Sequence, residues 1–73
     1  METITILTKL INYHFLNEDE KLAILDGIYA LENKQDKIKN KRNSMLILTK
    51  IFLPQFDKDE KQAITNAIKA LSK

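Results

Sequence analysis

At 73 residues with a net charge of +2, the chain is one domain close to the size at which a single core only just offsets chain entropy. Twelve basic against ten acidic residues are too balanced to imply a polyanionic partner from charge alone, and the absence of cysteine excludes disulfides, thiolate metal sites and cysteine nucleophiles together. No apolar run reaches the ~18 residues a membrane span needs, and Met1-Glu2-Thr3 lacks the basic region of a secretory signal, so the sequence predicts a cytoplasmic protein without a membrane partner.

One glycine and one proline leave few breaks, and apolar residues recur at spacings of three and four, which predicts an all-α chain. Helix 1 is expected over residues 3–14 and is apolar over a wide arc, since Ile6 and Leu10 point away from Ile4, Leu7, Ile11 and Phe15. Tyr13-His14-Phe15 closes it, with the histidine placed to meet the last carbonyls and the dipole. Helix 2 opens at Asn17, whose side chain caps it while Glu20 completes a capping box. Glu18, Asp19 and Glu20 suit the positive end of the dipole. No stop follows Leu31, and Gln35 and Ile38 continue the core-facing side, so the pattern carries helix 2 into a basic segment that turns over residues 40–44. That segment holds Lys34, Lys37, Lys39, Lys41 and Arg42 against Asp36. Asn43 or Ser44 caps helix 3, which directs Met45, Leu48, Ile51, Phe52 and Phe56 toward the core until Pro54 disfavours helix at Leu53. Helix 4 repeats the start of helix 2 with Asp57 and Glu60.

That repetition is general. Residues 6–31 recur at 47–71 with one deletion in the turn: Ile6-Leu7-Thr8-Lys9 lies over Ile47-Leu48-Thr49-Lys50, Phe15 over Phe56, Asp19-Glu20-Lys21 over Asp59-Glu60-Lys61, and Ala23-Ile24 over Ala63-Ile64. Ile28, Ala30 and Leu31 match Ile68, Ala70 and Leu71. The expected architecture is one four-helix domain made of two tandem helical hairpins, an internal duplication with a pseudo-twofold. Repeat 1 spans about 4–32, the basic connection about 33–43 and repeat 2 about 44–72.

The copies differ in one informative place. Ile24, Ile28 and Leu31, with Ile64, Ile68 and Leu71, are the expected core. Leu22, Leu25 and Tyr29 form a second stripe on roughly the opposite side of helix 2, where helix 4 has Gln62, Thr65 and Lys69. Burying one such side chain is worth roughly 1.5–3 kcal/mol, so three in line either pack inside the domain or meet a partner, this chain's own second copy or another protein.

No catalytic constellation stands beside them. His14 is the sole histidine, so a multi-histidine metal site is impossible. The two serines, Ser44 and Ser72, have no histidine nearby to activate them. Asn17-Glu18-Asp19-Glu20 lacks the spacing and glycine of a calcium loop. The sequence therefore calls for no cofactor, no metal and no small-molecule substrate. It reads as a non-catalytic protein-interaction module, a regulator or inhibitor acting by occupancy, with Leu22, Leu25 and Tyr29 docking and Lys34, Lys37, Lys39, Lys41 and Arg42 supplying electrostatic contact. The alternative is a dimeric DNA-binding regulator using helix 4 and residues 34–42, against which stand the acids Asp57, Asp59 and Glu60 at that helix's start. Abundant Ile, Lys and Asn point to an A/T-rich genome, that of a low-GC bacterium or its phage.

Overall fold

The computed structural model describes residues 2–51 and 54–73. They form α1 (Thr3–Ile11), α2 (Glu18–Leu31), α3 (Lys41–Lys50) and α4 (Lys58–Leu71), with a short 3-10 turn at Gln35–Lys37 between α2 and α3 and no strand among the described residues. The expected capping boxes start both long helices. Asn17 accepts the Glu20 N–H at 2.8 Å and Glu20 accepts the Asn17 N–H at 2.8 Å. Asp57 and Glu60 do the same at 2.8 and 2.9 Å. Each box satisfies N–H groups that the helix cannot pair internally.

Leu7, Leu10, Ile24, Leu48, Ile51, Ile64 and Leu71 are fully buried, so all four helices and the residue closing α3 supply the core. Of the expected core stripes, Ile28 is buried, while Leu31 and Ile68 are half-buried and pack against its margin. α2 and α4 pack on each other and both touch α1 and α3, whereas α1 and α3 do not meet among the described residues. The central crossing needs the lone glycine: a Cβ on Gly27 would lie 2.7 Å from the Ala67 Cβ, far inside the roughly 3.5–4.0 Å of carbon contact. Gly27 and Ala67 hold the same position in the two sequence copies. The four-helix packing is established; the twofold relation between hairpins rests on the sequence repeat alone.

Three helix limits differ from expectation. α1 stops at Ile11, because Asn12 and Tyr13 donate to Lys9 and Leu10 in a tightened last turn, which frees Leu16 to enter the core and Tyr13 to reach α4. α2 stops at Leu31 and does not enter the basic segment. Asn33 adopts φ 61°, its N–H donates to Ala30 and the Lys34 N–H donates to Tyr29, the Schellman pattern with asparagine at the left-handed position. α3 begins at Lys41, capped by Asn40 accepting the Asn43 N–H at 3.0 Å, so neither Asn43 nor Ser44 is the cap. Ser44 is engaged elsewhere: it is buried and donates to Asp26 at 2.7 Å. The roles expected of Phe52 and Leu53 lie outside the described residues.

Cross-contacts orient the helices. Thr3 accepts from Asn66 at 3.1 Å and Tyr13 donates to Glu60, so α1 runs antiparallel to α4. Ser44 meets Asp26 while Ile47 and Lys50 border the same hollow as Asn17, Asp19 and Glu20, so α3 runs antiparallel to α2. One end of the bundle therefore carries the acidic starts of α2 and α4, and the other carries the connecting segment and the end of α4. No helix among the described residues is long and apolar enough to cross a membrane.

Candidate functional site

The stripe on α2 is graded and not uniform. Leu22, in the second turn of the helix, is 36% exposed, Leu25 is half-buried against the core, and Tyr29 is half-buried near the helix end. α2 is the helix with neighbours on most sides, which accounts for the partial cover of Leu25 and Tyr29. The matching positions of α4 carry Gln62 and Lys69 in the open and Thr65 half-buried. Gln62 pairs with Asn66 at 3.1 Å, and Thr65 donates to the Lys61 carbonyl at 3.0 Å.

The basic segment divides into two groups. Lys34 and Lys37 stand at the Tyr29 end of the stripe: the Lys37 ammonium lies 5.9 Å from the Tyr29 ring centroid, within cation–π range, and Lys34 pairs with Glu32 at 3.6 Å. Lys41 and Arg42 open α3 and border a cleft of about 420 Å³ with Met45, Leu71, Ser72 and Lys73. The Lys41 ammonium donates to the main-chain oxygen of Lys73. Lys39 lies between the groups, exposed, its backbone held by α2.

What fixes that segment is a buried carboxylate the sequence reading passed over. Asp26 is 4% exposed and accepts the Lys39 N–H at 3.2 Å, the Asn40 N–H at 3.3 Å and the Ser44 hydroxyl at 2.7 Å. A buried acceptor needs such partners; these draw the connection and the first turn of α3 onto α2. Its signal in the sequence was a charge placed between the core residues Ala23, Ile24 and Ile28. At the matching position Asn66 bonds Thr3, so both long helices use a polar residue there to hold a neighbouring helix start.

A second feature was also missed. Tyr13, Phe15 and Phe56 pack with ring centroids 5.3, 5.9 and 6.4 Å apart, and the turn after α1 opens a mainly apolar cleft of about 470 Å³ lined by Lys9, Asn12, Tyr13, His14 and Phe15. Phe15, which follows α1 by four residues, is 46% exposed; Phe56, its counterpart in the second copy, is buried. Tyr13 donates its hydroxyl to the Glu60 carboxylate, which raises the tyrosine pKa above its ordinary 10.0, the hydrogen bond being the largest cause, followed by desolvation and the negative charges of Glu60 and Asp57. His14 is exposed, and no three His, Asp or Glu side chains among the described residues converge as metal ligands.

Comparison of the chain with protein-family models, with curated proteins and with solved structures gave no match in any of the three.

Proposed function

We propose that this protein works by binding another protein, in the cytoplasm, as a regulator or inhibitor that acts by occupancy and carries out no reaction. Docking runs along Leu22, Leu25 and Tyr29, with Lys34 and Lys37 beside it. The observation that supports this most is the exposed Leu22 in line with two half-buried apolar residues, on a helix whose sequence counterpart is polar at all three positions. The exposed Leu22 with the open edges of Leu25 and Tyr29 gives a partner an apolar strip to cover. Tyr29 is of a type enriched at interfaces, and Lys34 and Lys37 stand where the polar rim of one would lie.

The test compares Leu22→Glu with Gln62→Glu by light scattering over about a hundredfold concentration range and by affinity capture from the source cell. The reading expects a species, dimer or complex, that Leu22→Glu loses and Gln62→Glu keeps, with both variants folded by circular dichroism. A Leu22→Glu chain that no longer folds would assign the stripe to internal packing and end the proposal. A second reading, a dimeric DNA-binding regulator through α4 and residues 34–42, draws support from the Lys41 contact to Lys73, which sets the connecting segment against the end of α4. A Lys37→Glu, Lys41→Glu pair removes salt-sensitive DNA retention under that reading.

A further inference from the structure

We propose that the cleft between the first turn of α3 and the end of α4 is a second docking site, distinct from the Leu22 stripe, and that it takes an acidic peptide segment bearing apolar side chains. The cleft's accessible apolar side chain is the half-buried Met45, since Leu71, which also borders it, is fully buried. The rim is basic: Lys41, Arg42 and Lys73 border the cleft and no acidic side chain does. Arg42 and Lys73 are exposed and make no ion pair among the described residues, so their charge is directed outward.

Folding stability does not account for this arrangement. Bases in the first turn of a helix oppose its dipole, and acids there are favoured by about 0.3–1 kcal/mol each; α2 and α4 carry such acids in Glu18, Asp19, Glu20, Asp59 and Glu60, the last two beside Lys58, while α1 has none and α3 opens with Lys41-Arg42 and no acid. Lys41 has a structural use in meeting the main-chain oxygen of Lys73, the last residue of the sequence; Arg42 makes no side-chain ion pair among the described residues. One helical turn beyond Arg42, on the same side of α3, stands Leu46, which at 54% is the most exposed large apolar residue among those described. The surface thus alternates charge and apolar contact over two turns of one helix.

Three anionic classes share the charge, and the shape selects among them. A single nucleic-acid strand calls for aromatic platforms on which bases stack, and no aromatic residue borders this cleft. An anionic membrane calls for a broad apolar face that lies in the interface, whereas here Met45 stands among Lys41, Arg42 and Lys73 in a shallow hollow of about 420 Å³. A peptide whose carboxylates meet Arg42 and Lys73 while a leucine enters the hollow and a second touches Leu46 satisfies all of these.

The experiment is an amide NMR titration of the intact chain with a short peptide of aspartates and glutamates around two leucines, against the same peptide with alanines, single-stranded DNA, and vesicles of phosphatidylserine and phosphatidylcholine. The expected result is shifts centred on Arg42, Met45, Leu46 and Leu71 with the leucine peptide, binding weakened about tenfold or more by Arg42→Glu or by leucine-to-alanine exchange in the peptide, and no change from Leu22→Glu. The proposal is overturned by shifts centred on Lys34 and Lys37, by equal binding of the alanine peptide, by tighter binding of DNA or vesicles, or by the same shifts appearing on concentration of the protein alone, which would make a second copy the occupant. Because Leu22→Glu and Arg42→Glu act on separate surfaces, this site and the α2 stripe can fail independently.

Discussion

Gly27→Ala sets two opposing effects against each other, and the geometry decides the sign. Position 27 is deep inside α2, where alanine is preferred to glycine by about 0.5–1 kcal/mol, so propensity alone predicts a stabilised protein. The added methyl, however, arrives 2.7 Å from the Ala67 Cβ with the Ala67 Cα at 3.7 Å and a Leu48 methyl at 3.8 Å. Relative to ordinary carbon contact the shortfall is about 1 Å. Neither methyl can rotate away, since each is fixed to a helix backbone, so relief requires α2 and α4 to separate. That separation disturbs Ala23, Ile24, Ala63 and Ile64, all buried to 1% exposure or less. Overpacking of this kind costs about 1–3 kcal/mol, and subtracting the propensity gain of about 0.5–1 kcal/mol leaves a net loss of up to about 2.5 kcal/mol, with about 1–2 kcal/mol the middle of that range. For a domain this small that lowers the Tm by about 5–15 °C. Urea denaturation followed by circular dichroism measures it, with an unchanged m-value as the check that the unfolded state is unaffected. The exchange Gly27→Ala, Ala67→Gly leaves one methyl between the helices, from the other side, and leaves total propensity unaltered. It should fall within about 1 kcal/mol of the parent, a coupling between the two positions of about 1–3 kcal/mol. If Gly27→Ala alone raises the midpoint, the close approach of α2 and α4 is wrong.

Three further outcomes follow from contacts described above. Asp26→Ala leaves the Ser44 hydroxyl buried without its acceptor and releases two backbone N–H groups, so a loss of about 2–4 kcal/mol is expected, a large share of the roughly 4–11 kcal/mol available to a domain of this size; a loss under about 1 kcal/mol in the same urea assay would show that the carboxylate does not hold the connection. Asn33→Gly should be neutral or slightly stabilising while Asn33→Ala costs about 1 kcal/mol, because only the second places a plain side chain at positive φ; equal midpoints would refute the left-handed stop of α2. Tyr13 is stabilised in its protonated form, so its contribution is fully present below the ordinary tyrosine value near 10 and is lost as pH rises through its higher folded value; Tyr13→Phe should lower stability at neutral pH and flatten the alkaline decline, measured as the urea midpoint between about pH 8 and pH 11.

Signals local to a few residues were legible in the sequence. Asn17 with Glu20 and Asp57 with Glu60 form their boxes at the expected positions because the pairing needs only three intervening bonds of helix. Helix ends decided by distant residues were not. Asn43 and Ser44 have capping side chains, but Asp26, eighteen positions before Ser44, takes that hydroxyl and leaves Asn40 to cap α3. Asn33 was readable as a stop, since asparagine is the usual substitute for glycine at the left-handed position; the persisting apolar spacing through Gln35 and Ile38 concealed it. The surface was read in outline. Leu22, Leu25 and Tyr29 share a side of α2, yet their differing exposure depends on how α1 and α3 flank it, which no periodicity encodes. Of the five bases grouped in sequence, two stand at Tyr29 and two at Met45 and Leu71, with Lys39 between, because the turn at Gln35–Lys37 and the anchor at Asp26 divide the segment.

That anchor also sets how the connection moves. Residues 39 and 40 belong to no regular element and lie on the surface, where amides ordinarily exchange with solvent through small, independent fluctuations. Here both N–H groups share one carboxylate with the Ser44 hydroxyl, so exposing either amide frees a charge held between α2 and α3 and loosens the start of α3. Hydrogen exchange at Lys39 and Asn40 should therefore follow the collective opening of the α2–α3 contact and not loop fraying. Lys41 and Arg42 stand in the first turn of α3 and follow that opening, whereas Lys34 and Lys37 are tied to the end of α2 through the Lys34 N–H bond to Tyr29 and the Lys37 N–H bond to Lys34.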